Sequence, residues 1–151
     1  LTKFQVQAGV TLQQSHYSEP HVWNKEAPAV KKMMRTPNTY GYFTATYTPI
    51  KPLSIALSGT YTGSMLVPHE PVPGFLENPI TVNTKDFFDI GLKAAYDFKL
   101  YKSMNLQINA GIQNIFNAYQ DDFDKGADRD SGYIYGPSLP RSFFAGVKIS
   151  Y

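Results

Sequence analysis

Arg141-Ser142-Phe143-Phe144-Ala145-Gly146-Val147-Lys148-Ile149-Ser150-Tyr151 is the stretch that decides the class of fold. Read in steps of two, Phe143, Ala145, Val147, Ile149 and Tyr151 share one face, and Ser142, Phe144, Gly146, Lys148 and Ser150 share the other. That is the period of a strand with one apolar side. On a water-soluble domain, a terminal strand with an uncovered apolar face would be an aggregation site. In a bilayer the same strand is stable, because its apolar face meets lipid, its backbone is paired around a ring and its last aromatic sits at the interface.

Five earlier segments repeat the pattern. Residues 4–12 set Phe4, Val6, Ala8, Val10 and Leu12 against Gln5, Gln7, Gly9 and Thr11. Residues 39–48 set Phe43, Ala45 and Tyr47 against Tyr40, Tyr42, Thr44 and Thr46, and residues 53–65 set Leu53, Ile55, Leu57, Tyr61 and Met65 against serines and threonines. Residues 86–98 set Phe88, Ile90, Leu92, Ala94, Tyr96 and Phe98 against Phe87, Asp89, Gly91, Lys93, Ala95 and Asp97. A fifth strand carries Leu106, Ile108, Ala110 and Ile112, and its alternation breaks at Asn114-Ile115-Phe116-Asn117, which predicts a bulge or a strand end.

The connections alternate in length. Residues 14–37, 66–85 and 118–140 form long loops, whereas Pro49-Ile50-Lys51-Pro52 and residues 99–103 are tight turns. The prolines of 14–37 and 66–85 exclude regular structure over most of those loops and leave no further strands for the sheet. Long loops at one end and short turns at the other is the layout of outer-membrane barrels.

Composition agrees. A formal charge of +2 excludes a strongly basic nucleic-acid binder, so no nucleic-acid partner is expected. No apolar run reaches the roughly 18 residues of a membrane-spanning helix. With 11 Tyr and 10 Phe against one Trp, the aromatic content suits strands and interfacial girdles. Tyr47, Tyr96, Phe98 and Tyr151 fall near the turn end of the apolar face, and Phe43, Tyr61, Phe88 and Phe143 nearer the loop end. The opposite face is hydroxyl- and amide-rich, with Asp89, Lys93, Asp97 and Lys148 as its main charges and no glutamate. It resembles an aqueous lumen more than a solvated exterior. Those charges are expected to pair across the lumen or with a plug.

The fold expected is therefore all-β: an antiparallel up-and-down transmembrane β-barrel. Six strands are too few to close one, since about eight already leave room only for side chains. The chain is expected to be the C-terminal portion of a larger barrel, with open edges at its first and last strands. A small complete outer-membrane barrel, adhesive or structural, and a soluble antiparallel β binding domain with the apolar face inside are the alternatives.

Candidate ligand contacts lie in the loops: His16, Tyr17, Trp23, His69, Tyr133 and Tyr135, whose rings suit stacking on a small extracellular ligand. Packing of the loops on themselves is the competing role. His16, His21 and His69 lack a tight ligand spacing, cysteine is absent, and the acidic run 121–130 does not follow the EF-hand pattern, so no metal or cofactor is expected. No nucleophile, base and orienting group converge in any motif, which argues against an enzyme.

Asn114-Ile115-Phe116-Asn117, a long loop, and then Pro140-Arg141-Ser142-Phe143-Phe144-Ala145-Gly146-Val147 leading to a terminal aromatic resembles the C-terminal end of TonB-dependent outer-membrane receptors. Those carry an N-L-F-[ND]-like motif followed by a G-x-P-R-[ST]-[FY]-like closing strand. Here Ile115 replaces the leucine and Leu139-Pro140 precedes the arginine. Arg35-Thr36-Pro37 and Gly59-Thr60-Tyr61-Thr62-Gly63 fit the family more loosely. The resemblance implies a barrel of about 22 strands enclosing a plug, in the outer membrane of a Gram-negative-type bacterium. It implies uptake of a scarce nutrient such as a ferric siderophore. The partners implied are outer-membrane lipid, the remainder of the barrel and its plug, and the TonB complex, reached through regions outside these residues.

Overall fold

The computed structural model describes residues 3–101, 103–137 and 139–151; Leu1, Thr2, Lys102 and Ser138 lie outside the described residues. Among these the protein is all-β and holds no helix. The strands are β1 (Lys3–Leu12), β2 (His16–His21), β3 (Val30–Lys32), β4 (Thr39–Ile50), β5 (Leu53–Thr62), β6 (Leu66–His69), β7 (Ile80–Asn83), β8 (Phe87–Lys99), β9 (Asn105–Gln113) and β10 (Ser142–Ser150). Six of them form one antiparallel sheet in the order β1-β4-β5-β8-β9-β10. β1 and β10 are its two edges, and among the described residues neither pairs with another strand on its outer side.

The register carries the sequence alternation across the whole sheet. Val6, Ala45, Leu57, Leu92, Ile112 and Phe143 lie side by side in one row, and Gln5, Thr46, Ala56, Lys93, Gly111 and Phe144 in the row of opposite parity. A slip of one residue in any ladder would turn that strand's apolar set to the polar face. No ladder slips along these rows, so the sheet has one apolar and one polar face.

Among the described residues nothing covers the apolar face. Phe4 is 68% exposed, Val10 72% and Val147 67%, and Leu92 in the central β8 is still 39% exposed. The contiguous apolar patch of a soluble monomer seldom exceeds a few hundred Å², and here the patch is a sheet face six strands wide. Among the described residues the buried apolar side chains lie elsewhere: Leu66, Val67, Val72 and Tyr133 in the long connections, Phe87 at the loop end of β8, and Ala95 on the polar face of β8.

Two glycines seat aromatic rings across the ladders. Gly59 faces Phe43, and Gly111 faces Phe144. A Cβ on Gly59 would lie 2.3 Å from the Phe43 ring, and one on Gly111 would lie 2.4 Å from the Phe144 ring and 2.6 Å from the Leu92 carbonyl oxygen. The ring fills the space that a side chain would take, a device known for pinning register beside glycine.

Two expectations need correction, and a third, left open between two outcomes, is decided. The segments 14–37 and 66–85 are not irregular throughout: each holds a two-stranded ribbon, β2–β3 and β6–β7, separate from the main sheet. Pro20 lies within β2 and Pro68 within β6, because a narrow ribbon always has an outer side where a missing N–H breaks no bond. β4 also runs through Pro49 to Ile50, with a register shift after Tyr47, so the tight turn is Lys51-Pro52 alone. At Asn114 the outcome is a strand end: β9 stops at Gln113 and Asn114 turns away with φ 49°.

Gly111→Ala is expected to lower the stability of the sheet by about 1–3 kcal/mol, the usual cost of overpacking. Gly74→Ala, in open space but at φ 77°, serves as a control for backbone strain alone. Denaturant unfolding in detergent compares the two.

Candidate functional site

The three long connections meet at one end of the sheet, and their polar side chains join them. Asn114 is buried where the chain leaves β9. Its Nδ2 donates to the carbonyl oxygens of Ala118 at 2.8 Å and Leu139 at 3.0 Å, and its Oδ1 accepts from the Ala118 N–H at 2.7 Å. Asn117, at φ 51°, accepts from the Arg141 N–H at 2.9 Å. Short amide side chains tolerate the left-handed conformation and bond to nearby backbone. The two asparagines thus hold the start of the last long connection against its end.

Within that connection Asp122 accepts from the Tyr133 hydroxyl at 2.9 Å and the Tyr135 hydroxyl at 2.6 Å. Gln120 bridges the same strand of chain, donating to the Tyr133 carbonyl at 3.0 Å and accepting from the Tyr135 N–H at 2.9 Å. The middle connection docks through His69. Its Nε2 lies 2.8 Å from Asp124 Oδ2, and its ring stacks on Tyr133 with centroids 3.8 Å apart and planes 3° from parallel. The same Asp124 oxygen accepts from the Asp130 N–H at 3.1 Å, and Asp130 accepts from the Glu70 N–H at 2.9 Å. The first connection joins through Arg35, whose guanidinium donates to the Gly132 and Ile134 carbonyls and whose N–H donates to the Leu66 carbonyl at 2.7 Å. Lys85 and Asp121 add an exposed ion pair at 2.7 Å, of the kind worth little.

Burial pushes the Tyr133 phenol up to about 12, helped by its bond to Asp122, and burial likewise raises Tyr135. Both remain protonated donors at neutral pH. Partial desolvation acts to raise the Asp122 carboxyl, but the hydrogen bonds from Tyr135, Tyr133 and Gln120 outweigh it and hold the group below the usual carboxylate range.

The ring residues read from the sequence as ligand contacts fall into two groups. His69 and Tyr133 are buried, 5% and 3% exposed, with their faces turned to each other, and Tyr135 packs on Phe87 with centroids 5.9 Å apart. All three hold the connections together. His16 is exposed, Tyr17 stacks on His21 at 4.7 Å, and Trp23 is half-buried with a buried Nε1 that has no hydrogen-bond partner among the described residues.

Asp89, Lys93, Asp97 and Lys148 all lie on the polar face, where Asp97 accepts from Gln107 at 2.8 Å and Lys148 faces Gln107 from the other side. Among the described residues none of the four forms an ion pair with another. Residues four apart on a strand stand roughly 13 Å apart, too far for contact. Asp89 lines a cavity of about 540 Å³ between the polar face and Pro137, Leu139 and Pro140, with Tyr42, Thr44, Ser58 and Gln113 on its walls. Tyr47, Tyr96, Phe98, Phe143 and Tyr151 are all exposed, and the Tyr96 and Phe98 rings lie 4.6 Å apart.

The joining roles of Asn114, Gln120, Asp122, Asp124 and Arg35 do not follow from residue type alone. One signal was present: an asparagine pair three apart directly after a strand suits a chain reversal with positive φ. The partners of the aspartates come from distant segments and leave no local trace. Among the described residues no group of three His, Asp or Glu side chains is placed to hold a metal ion. No protein-family model, no curated protein and no solved structure matches the chain.

Because the folded-state pKa of Asp122 is lowered, its stabilising contribution is complete above the ordinary carboxylate value of about 4 and is lost as pH falls through the lowered value. The near-ultraviolet circular dichroism of the tyrosines is expected to change in that acid window, and Asp122→Asn is expected to abolish the transition. Asp124→Ala leaves His69 buried without its partner and is expected to speed proteolytic cleavage within 114–141 several-fold, while amide exchange in β4, β5 and β8 stays unchanged.

Proposed function

We propose that this chain is part of the wall of a bacterial outer-membrane barrel of the TonB-dependent receptor type, serving active uptake of a scarce nutrient such as a ferric siderophore. The observation that carries this proposal is the uncovered apolar face, a surface six strands wide whose exposed side chains run from Phe4 on one edge to Val147 on the other. Hydrocarbon is the solvent that makes such a face stable. The polar face, with its serines, threonines, glutamines and asparagines, would then line an aqueous bore.

The open edges support a larger ring. Both β1 and β10 present unpaired backbone groups, and in hydrocarbon every such group costs several kcal/mol. Further strands must therefore pair with both edges. With an even number of strands in the meander, β1 and β10 run in opposite directions, as antiparallel ring closure requires. On this reading the packed cap of connections stands at the outer surface and the two tight turns face the periplasm. The exposed ring of His16 and the half-buried rings of Tyr17 and Trp23 remain available to a ligand, and the cavity beside Asp89 opens from the bore.

The test is a pair of single substitutions at opposite faces of the sheet. Leu92→Lys, near mid-height on the apolar face, is expected to cost about 2–4 kcal/mol of insertion into phosphatidylcholine vesicles, while Ser58→Lys on the polar face costs little. Refolding should succeed only in detergent or lipid. A monodisperse monomer in detergent-free buffer, or equal penalties for the two lysines, would sink the proposal.

A further inference from the structure

The charges are divided between the two ends of the sheet. Ten of the 12 acidic residues stand in the long connections, Glu19 in the β2–β3 ribbon among them; the six strands of the main sheet hold only Asp89 and Asp97, and the tight turns hold none. At the turn end, by contrast, Lys3 at the start of β1, Lys51 in the β4–β5 turn and Lys99 at the end of β8 are all exposed. The ladders set them in a row along the rim: Lys3 faces Thr48, Lys51 lies between the paired Ile50 and Leu53, and Lys99 faces Asn105. Across the sheet, successive lysines are then about one and a half strand spacings apart, ~7 Å, and they are also staggered along the strand direction. The nearest carboxylate on a strand, Asp97, is engaged by Gln107, and none of the three lysines is in an ion pair among the described residues. Exposed aromatics lie at the same end, with Tyr47, Tyr96 and Phe98 on the apolar face.

We propose that this basic rim binds the headgroups of anionic phospholipids, so that the turn end of the sheet is seated against a negatively charged leaflet. The inference rests on the lipid-facing reading of the apolar face. A lysine stem can lie along apolar surface while its ammonium reaches the phosphates, and the neighbouring rings occupy the headgroup level. Each lysine near such a surface strengthens association about fivefold at moderate salt.

The full chain is titrated with vesicles of phosphatidylcholine and with vesicles of phosphatidylcholine mixed with phosphatidylglycerol. Association with the anionic vesicles is expected to be at least about tenfold tighter, and the preference is expected to fade at high salt. The K3Q/K51Q/K99Q variant should enter neutral vesicles as the parent does and lose the preference, whereas K31Q/K32Q, at the loop end, should keep it. Equal association with both lipids, or a preference that survives in the triple variant, overturns the rim. Failure to enter either vesicle overturns both the rim and the lipid-facing reading beneath it.

Discussion

The structure depends on a two-residue period held in register across five ladders. Each strand alone is only alternately apolar. Pairing converts that alternation into a surface, because Val6, Ala45, Leu57, Leu92, Ile112 and Phe143 can lie in one row only if no ladder between them slips. Where glycine would leave the pleat empty, Phe43 and Phe144 lie across it, and the close approach of ring to backbone opposes a shift in either direction. The two faces thus differ in chemistry over their whole width, and the solvent that each can meet follows from that difference.

The core is consequently in an unusual place. A sheet in a soluble protein buries its apolar side and leaves its connections wet, yet here Val67 is fully buried in a connection while Phe4 and Val147 are open. The connections are bonded to one another through buried polar groups: Asn114 at the exit of β9, Asp122 beneath two tyrosines, and Asp124 against His69. Such a network stabilises only when each member is satisfied, and these carboxylates accept from two donors each. A cap built this way can be rigid without a covering layer of sheet.

On the proposed reading, the division of labour is plain. The sheet supplies a wall between hydrocarbon and water, the cap shapes the outer mouth, and the polar face offers a neutral bore whose charges, Asp89, Lys93, Asp97 and Lys148, have no ionic partner within the described residues. Unpaired charges on an aqueous surface cost little, and they remain free to meet whatever fills the bore. The basic row at the turn end belongs to the same logic, since it lies where aromatic rings leave the apolar face.

Alternation alone determined the six main strands, their faces, the alternation of long and short connections and the end of β9, because a period of two is a local property that burial on one side enforces. The tertiary structure decided what the long connections do. β2–β3 and β6–β7 were hidden by prolines that matter only if both sides of a strand must be paired. His69 and Tyr133, whose rings suggested ligand contacts, proved to be stacked on each other, and their stacking depends on residues 64 positions apart being brought together. Packing of that range has no periodicity in sequence, so only the folded chain could decide which rings face each other and which face outward.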